Sequence, residues 1–168
     1  MHKEETGQSE KLNICILTVS DTRTEADDNS GRLIRDQMED AGHTIFARQI
    51  CPDDKNAILK AVESWIGKKE ADVIVITGGT GISYRDVTIE TVRPFFTKEL
   101  NGFGELFRYI SYAEDVGSKA LLSRAAAGAI GEKVLFALPG SVKAVALALD
   151  RLILPELTHI HNELTKHL

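Results

Sequence analysis

Apolar residues along this chain alternate between continuous runs and helical spacing. Residues 12–19 form a largely apolar run that predicts a buried strand, and residues 44–50 and 73–76 predict two more. Between these runs, apolar side chains recur every three or four residues, as on a helix with one buried face. The positions that show this spacing are Leu33, Ile34, Met38 and Ala41, followed by Ala57, Ile58, Ala61, Val62, Trp65 and Ile66.

The first half of the chain therefore has the order β-α-β-α-β. This order predicts right-handed crossovers and a mostly parallel sheet with helices on both faces. Short polar residues indicate where each helix begins. The first helix is predicted to start at Asn29 or Ser30 and to stop at Gly42, and the second to start at Asp53 or Asp54.

The second half has a different order of elements. Residues 88–96 predict a short helix, and residues 102–105 lead into a longer one. Residues 124–130 and 133–138 predict two adjacent strands joined by a two-residue connection, so one strand is expected to run antiparallel. We therefore predict an α/β, three-layer Rossmann-like fold with a mostly parallel sheet and one antiparallel strand.

The last 30 residues are predicted to be helical. A helix opens near Ser141, is broken by Pro155 and is followed by a final amphipathic helix over residues 156–167.

Length and charge narrow the class of protein. A chain of 168 residues is expected to form one domain, and we assign residues 1–11 to a polar tail and residues 12–168 to that domain. The net charge of −5 and the aromatic content of 6% argue against nucleic acid as a partner, since such proteins present a basic surface. The net charge does not exclude a small anionic ligand, because hydrogen-bond donors next to a ligand affect its binding more than the net charge of the whole chain does.

The two cysteines and the lengths of the apolar runs indicate in which cellular compartment the protein is expected. Cys15 and Cys51 lie in apolar runs without a CxxC pair, as expected for buried thiols in a reducing environment. Residues 1–11 lack the apolar segment of a signal peptide, and no run approaches the roughly 20 apolar residues of a membrane span. We expect a cytoplasmic protein with no membrane partner.

The most informative motif is a glycine-rich turn directly after the predicted strand at residues 73–76. In open α/β sheets, ligands bind at this end of a strand. Three glycines let main-chain N–H groups approach an anion without side chains in the way. The turn contains neither the P-loop pattern nor the dinucleotide fingerprint. The alternative interpretation is therefore a tight turn that binds no ligand. Its residues are Thr77, Gly78, Gly79, Thr80 and Gly81.

Charged residues close to the turn add candidate chemistry. Arg85 supplies a cation for a phosphate, and Asp86 supplies a carboxylate for magnesium, which prefers one or two carboxylates with phosphate oxygens and waters. Asp86 is alternatively a cap for the helix that starts nearby, and Asp53, after the second strand, has the same alternative.

Other strand ends are predicted to meet the turn at the same edge of the sheet. Ser20 and Asp21 follow the first strand, and Gly140 and Ser141 follow the last. Ser141 opens a helix, where N–H groups favour an anion, or it is a simple N-cap. The convergence of these groups predicts a pocket for a phosphate ester.

Together these motifs resemble the MoaB/MogA family of molybdenum cofactor biosynthesis, which includes molybdopterin adenylyltransferases and the G domain of gephyrin-like proteins. The resemblance runs in family order from about Leu12 to the last helix, and residues 20–23 are similar to the MoaB branch. The matching segments are residues 17–21, 52–54, 77–81, 85–88, 102–105, 122–124 and 138–141.

The resemblance implies transfer of AMP from Mg-ATP to the terminal phosphate of molybdopterin, with release of pyrophosphate. Mg²⁺ is the implied cofactor and ATP the co-substrate. Asp53 and Asp86 match the two acidic positions of the family and are the implied catalytic and metal-binding residues. The candidate phosphate-binding and substrate-binding residues are Ser20, Asp21, Thr77, Gly78, Gly79, Thr80, Gly81, Arg85, Ser123, Arg124, Gly140 and Ser141.

The resemblance also implies trimers or pairs of trimers and contacts with other proteins of the pathway. In one respect the chain departs from the family, because Ser141-Val142 replaces the Asn-Pro or Gln-Pro that follows Pro-Gly in many members. Two other functions remain open: a non-catalytic oligomer that binds the pterin or a partner enzyme, and a nucleotide pyrophosphatase.

Overall fold

Six strands form one sheet at the centre of the protein. The computed structural model describes residues 10–168, and the order across the sheet is β2-β1-β3-β6-β5-β4. The strands β1, β2, β3 and β6 pair in parallel, whereas β5 is antiparallel to both of its neighbours. The strands are β1 (Asn13–Val19), β2 (Thr44–Cys51), β3 (Val73–Thr77), β4 (Lys98–Glu99), β5 (Ala126–Ile130) and β6 (Lys133–Leu138).

The helices cover both faces of this sheet, which confirms the predicted α/β architecture with one antiparallel strand. They are α1 (Asn29–Asp40), α2 (Lys55–Ile66), α3 (Thr88–Val92), α4 (Asn101–Ser111), α5 (Val142–Ala148) and α6 (Leu154–Thr165). A single 3₁₀ turn, Arg93–Phe95, extends α3, and a π-helical segment, Tyr112–Val116, followed by a 3₁₀ segment, Gly117–Leu122, extends α4.

Alternate residues of each strand enter two separate hydrophobic cores, because successive side chains of a strand point to opposite faces. In β1, Ile14 and Ile16 pack in the core that contains α1, α4, α5 and α6. Cys15 and Leu17 pack in the other core, beneath α2 and α3. Trp65 of α2 is buried there, as the helical spacing predicted.

The cap of α1 lies one residue before the expected ones, whereas the cap of α2 is one of the two that were expected. Asp28, rather than Asn29 or Ser30, caps α1 by accepting a hydrogen bond from the main-chain N–H of Gly31 at 3.0 Å. Asp54 caps α2 by accepting from the N–H of Ala57 at 2.9 Å. A cap must accept from an N–H two or three residues ahead, and the run of short polar residues before each helix concealed which one does so.

Two predicted boundaries in the second half are wrong. Gly102 and Gly104 lie inside α4 rather than before it. Pro155 does not break the last helix, because the π-helical segment Leu149–Ile153 joins α5 to α6 without an interruption. A proline within a helix removes one hydrogen bond and displaces the carbonyl four residues earlier, and the wider π turn accommodates both effects.

At the start of the chain, most of the predicted polar segment, residues 1–11, lies outside the described residues. Glu10 and Lys11 are described and precede β1. Within residues 10–168, none of the helices is long and apolar enough to cross a membrane.

Candidate functional site

A cavity of about 400 Å³ lies at the carboxyl ends of β1, β3 and β6. Its walls are formed by the ends of these strands and the residues that follow them, by the loop after β2 and by the residues that precede β5. Ligands bind at this edge of open parallel sheets. The structure brings most of the predicted site residues together in this one place. Those that line the cavity are Ser20, Asp53, Gly78, Gly79, Thr80, Gly81, Asp86, Ser123, Arg124 and Gly140.

Four predicted residues lie next to the cavity but do not line it. Thr77 is fully buried, and its hydroxyl donates to the carbonyl of Pro139 at 2.8 Å. Ser141 caps α5, where its hydroxyl accepts from the N–H of Ala144 at 3.2 Å. Asp21 and Arg85 form an ion pair with each other at 2.8 Å. Each of these side chains is therefore already engaged within the protein.

The glycine turn needs glycine for reasons of packing as well as conformation. Gly78 and Gly79 have φ values of +101° and +68°, which favour glycine. A Cβ atom at Gly78 would lie 2.2 Å from the carbonyl oxygen of Val19, and one at Gly79 would lie 2.3 Å from the hydroxyl oxygen of Thr88. Thr88 holds this conformation, since its hydroxyl donates to the carbonyl of Gly78 at 2.8 Å.

The N–H groups of the turn differ in what they do. The N–H of Gly78 donates to the carbonyl of Leu138 at 3.0 Å, which joins the turn to β6. No acceptor among residues 10–168 takes the N–H of Gly79, Thr80 or Gly81. The main-chain N–H groups of residues 79–81 are therefore available to an anion in this cavity, whereas the N–H of Gly78 has a structural hydrogen bond.

Asp53 lines the cavity, and its neighbour Asp54, rather than Asp53, caps α2. The carboxylate of Asp53 accepts from the N–H of Asp21 at 3.1 Å. Burial raises the pKa of Asp53, and the negative charges of Asp21 and Asp86 raise it further. One oxygen of this carboxylate lies 3.1 Å from the place that a Cβ at Gly79 would occupy, so the glycine leaves the carboxylate open to the cavity.

Asp86 is not the cap of the following helix, so that alternative is wrong. α3 begins after Val87 without a side-chain cap. One oxygen of Asp86 accepts from the N–H of Ser83 at 3.0 Å and from its hydroxyl at 2.7 Å. The same oxygen would lie 2.6 Å from a Cβ at Gly81, so this glycine provides the room for the carboxylate.

Asp53 and Asp86 supply the type and number of protein ligands that magnesium commonly uses beside a phosphate. In the described part of the chain, no three His, Cys, Asp or Glu side chains are grouped as a metal site. Asp53 and Asp86 come from different loops and line one cavity, and the negative charge of Asp86 contributes to the raised pKa of Asp53. Magnesium is commonly held by one or two carboxylates, with phosphates and waters as its other ligands.

Two of the cations near the cavity are neutralised by carboxylates. The Nε and Nη2 atoms of Arg85 donate to the carboxylate of Asp21, and this pairing lowers the pKa of Asp21. Arg124 pairs with Glu90 at 2.5 Å and donates to the carbonyl of Thr80 at 2.8 Å. Arg124 therefore stabilises the glycine turn while it lines the cavity.

The sequence analysis missed four residues of the cavity wall. Val19, Leu122 and Pro139 contribute apolar surface, and Arg23 contributes a guanidinium group. Arg23 could have been found from the sequence, because it lies in the segment of residues 20–23 that resembles the MoaB branch. Only the conformation of the loop shows that its side chain lines the cavity.

The chain is similar in sequence to known proteins along most of its length. Residues 15–159 match the sequence profile of a family described as "Probable molybdopterin binding domain". The chain is 54% identical over 149 residues to molybdenum cofactor biosynthesis protein B of Bacillus anthracis, covering 89% of this chain and 88% of that protein.

Solved structures agree with the sequence comparison. A crystal structure of molybdenum cofactor biosynthesis protein B superposes with a TM-score of 0.93 at 50% identity and covers 96% of this chain and 100% of that one. The tungsten cofactor synthesizing protein MoaB from Pyrococcus furiosus superposes with a TM-score of 0.80 at 42% identity, covering 92% of this chain and 97% of that one.

Proposed function

Since this chain belongs to the molybdopterin binding domain family of molybdenum cofactor biosynthesis, we propose that it transfers AMP from Mg-ATP to the terminal phosphate of molybdopterin. In this reaction a phosphate oxygen of molybdopterin attacks the α-phosphorus of ATP. The bond between that phosphorus and the oxygen of the β-phosphate breaks, and pyrophosphate leaves.

One observation supports this proposal above the others. Two carboxylates from separate loops, Asp53 and Asp86, line the same cavity as a glycine turn with three available N–H groups. Phosphoryl transfer depends mainly on positioning and on charge stabilisation, and these are the groups that supply both. Both carboxylates are partly buried beside the turn and line the same cavity.

Each part of the cavity has a role in the proposed reaction. The N–H groups of residues 79–81 bind phosphate oxygens of the nucleotide. Asp53 and Asp86 would hold Mg²⁺, which would neutralise charge on the phosphates. Ser123, Arg124 and Gly140 line the remaining wall. Asp21, Arg85, Thr77 and Ser141 act by supporting the loops from outside the cavity.

The test is incubation of the protein with Mg-ATP and molybdopterin under anaerobic conditions. Mass spectrometry is expected to detect adenylated molybdopterin, with one pyrophosphate released for each product formed. The Asp86→Asn protein serves as the control and is expected to form little product. Tight binding of molybdopterin without product would instead support the non-catalytic alternative, and hydrolysis of a dinucleotide without the pterin would support the pyrophosphatase.

We further expect the protein to assemble as trimers or pairs of trimers. Exposed apolar side chains on and after α4 support this expectation, among them Leu106, Tyr109 and Tyr112, which are exposed by 52%, 68% and 62%. Light scattering that shows a stable monomer at micromolar concentration would contradict it.

A further inference from the structure

Arg23 differs from the other arginine that lines the cavity and from the one at its edge. Arg124 and Arg85 each pair with a carboxylate, Glu90 and Asp21 respectively. Arg23 has no carboxylate within ion-pair distance among residues 10–168, and its guanidinium donates to a neutral hydroxyl, that of Ser30, at 3.2 Å. Its positive charge is therefore not neutralised within the described part of the protein.

Three contacts fix the position of this guanidinium. The hydroxyl of Ser20 accepts from the main-chain N–H of Arg23 at 3.1 Å, which turns the loop after β1 back toward the cavity. Ser30, which is fully buried, meets the guanidinium from α1. The hydroxyl of Ser30 in turn donates to the carbonyl of Gly140 at 2.7 Å, so this contact ties the arginine to the loop after β6.

The charges around the cavity make such a cation necessary for one class of ligand. Asp53 and Asp86 give the wall two carboxylates, which repel a phosphate dianion that carries no metal. The polyphosphate of a nucleotide enters with Mg²⁺ and with the N–H groups of residues 79–81 as partners. A phosphate monoester without a metal needs a cation to offset this repulsion, and of the two arginines that line the cavity, Arg23 is the one that no carboxylate neutralises among residues 10–168.

We propose that Arg23 binds the terminal phosphate monoester of the acceptor, with Ser30 as its positioning residue. This inference rests on the proposed function, because it assigns one phosphate to the metal-binding side of the cavity and the other to Arg23. A guanidinium presents two parallel N–H donors to a phosphate, so it binds the monoester and also orients it.

The test compares the affinities of two ligands in a set of matched variants. Affinities for molybdopterin, handled anaerobically, and for Mg-ATP are measured separately by titration calorimetry, with inorganic phosphate as a competitor of molybdopterin. Arg23→Met is expected to weaken molybdopterin by about tenfold or more, as for a lost charge-assisted hydrogen bond, and to leave Mg-ATP within about twofold. Inorganic phosphate is expected to compete in the unaltered protein and to lose this effect in the variant.

Two further variants separate charge from position. Arg23→Lys keeps the charge without the planar fork and is expected to bind molybdopterin with intermediate affinity. Ser30→Ala removes the contact that holds the guanidinium, so it is expected to weaken molybdopterin selectively, an effect that a merely structural role would not produce. Arg35→Met is the control for net charge, because Arg35 pairs with Asp36 at 2.7 Å outside the cavity.

The outcomes distinguish this inference from the proposed function. Equal losses of both ligands in Arg23→Met, an unchanged affinity for molybdopterin, or no competition by phosphate in the unaltered protein would each overturn the role of Arg23. If molybdopterin binding depends on Arg23 but no adenylated product forms, the inference stands and the proposed reaction fails.

Discussion

The main chains and carboxylates of Asp21 and Asp53 are joined by two reciprocal hydrogen bonds. The N–H of Asp21 donates to the carboxylate of Asp53 at 3.1 Å, and the N–H of Asp53 donates to the carboxylate of Asp21 at 3.0 Å. Arg85 completes the group by pairing with Asp21. The loops after β1, β2 and β3 are thus tied together at the edge of the cavity, although Asp21 and Arg85 lie outside its wall.

This arrangement predicts how the pKa of Asp53 responds to a change at Asp21. Burial is the main cause that raises the pKa of Asp53, and the charge of Asp21 is the next. Asp21→Asn removes that charge but keeps an acceptor for the N–H of Asp53, and it leaves the positive charge of Arg85 without its partner. The pKa of Asp53 is therefore expected to fall.

Carbon NMR of the labelled carboxyl group can measure this pKa without any assay of turnover. If the protein is active, the acid limb of its pH profile should also move to lower pH, because Asp53 would stay ionised further into the acid range. A pKa that rises or stays constant in Asp21→Asn would contradict the assignment of Asp21 as a cause.

The carboxylates of the cavity should matter for turnover and their neighbour should not. Asp53→Asn and Asp86→Asn are each expected to lower the rate of adenylated product formation by about 100-fold or more, since charge stabilisation at a transferring phosphoryl group contributes several kcal/mol. Asp54→Asn is the matched control. Asp54 caps α2, and asparagine is as good a cap as aspartate, so both rate and stability are expected to be preserved.

Magnesium titrations show whether Asp53 and Asp86 act by binding Mg²⁺ or in another way. The two cavity variants should require more Mg²⁺ for half-maximal activity, whereas Asp54→Asn should follow the unaltered protein. Near-normal turnover in a folded Asp86→Asn protein would show that Asp86 has only a structural role, through its hydrogen bonds with Ser83.

Alanine at Gly79 should destabilise the fold more than alanine at another glycine of positive φ. Gly42 has a φ of +93° and no atom within 4 Å of an added Cβ, so Gly42→Ala is expected to cost only the left-handed strain, about 1–2 kcal/mol in the free energy of unfolding. Gly79→Ala adds a contact of 2.3 Å with the hydroxyl oxygen of Thr88. Urea denaturation of the two variants measures the difference.

Ligand stabilisation then shows whether the turn binds phosphate. The melting temperature of Gly42→Ala should rise with Mg-ATP as in the unaltered protein, whereas Gly79→Ala should gain little. A Gly79→Ala protein that is stabilised to the normal extent by both Mg-ATP and molybdopterin would show that this turn binds neither ligand.

His43 should make the fold less stable in acid. It is buried, its Nδ1 accepts from the N–H of Leu12 at 3.2 Å, and burial lowers its pKa. Because the pKa is lower in the folded state than in the unfolded state, the stabilisation is present above about pH 6.5 and is lost as the pH falls through the folded pKa.

The variant His43→Asn keeps an acceptor for the N–H of Leu12 but does not titrate. Between pH 7 and pH 5, its free energy of unfolding is expected to fall less steeply than that of the unaltered protein. His159→Asn is the control, because the side chain of His159 is 70% exposed. Parallel curves for all three proteins would show that His43 does not contribute to the pH dependence.

The amino-acid sequence by itself determined the elements and the edge of the sheet at which the site lies. Continuous apolar runs such as residues 73–76 are typical of central strands that are buried on both sides, and their alternation with helical spacing favours parallel connections. The position of residues 78–81 after β3 then followed from the chain order. Local patterns were sufficient here because periodicity and chain connectivity are properties of neighbouring residues.

Only the tertiary structure decided which polar groups are available in the cavity. Arg85 meets Asp21 from 64 residues away, so a cation that the sequence assigned to phosphate is paired with a carboxylate. Ser30 meets Gly140 across 110 residues, and this contact places Arg23 in the cavity wall. Hydrogen bonds between loops depend on how the strands bring those loops together. The pattern of neighbouring residues contains no information on the distance in space between residues that are far apart in the sequence.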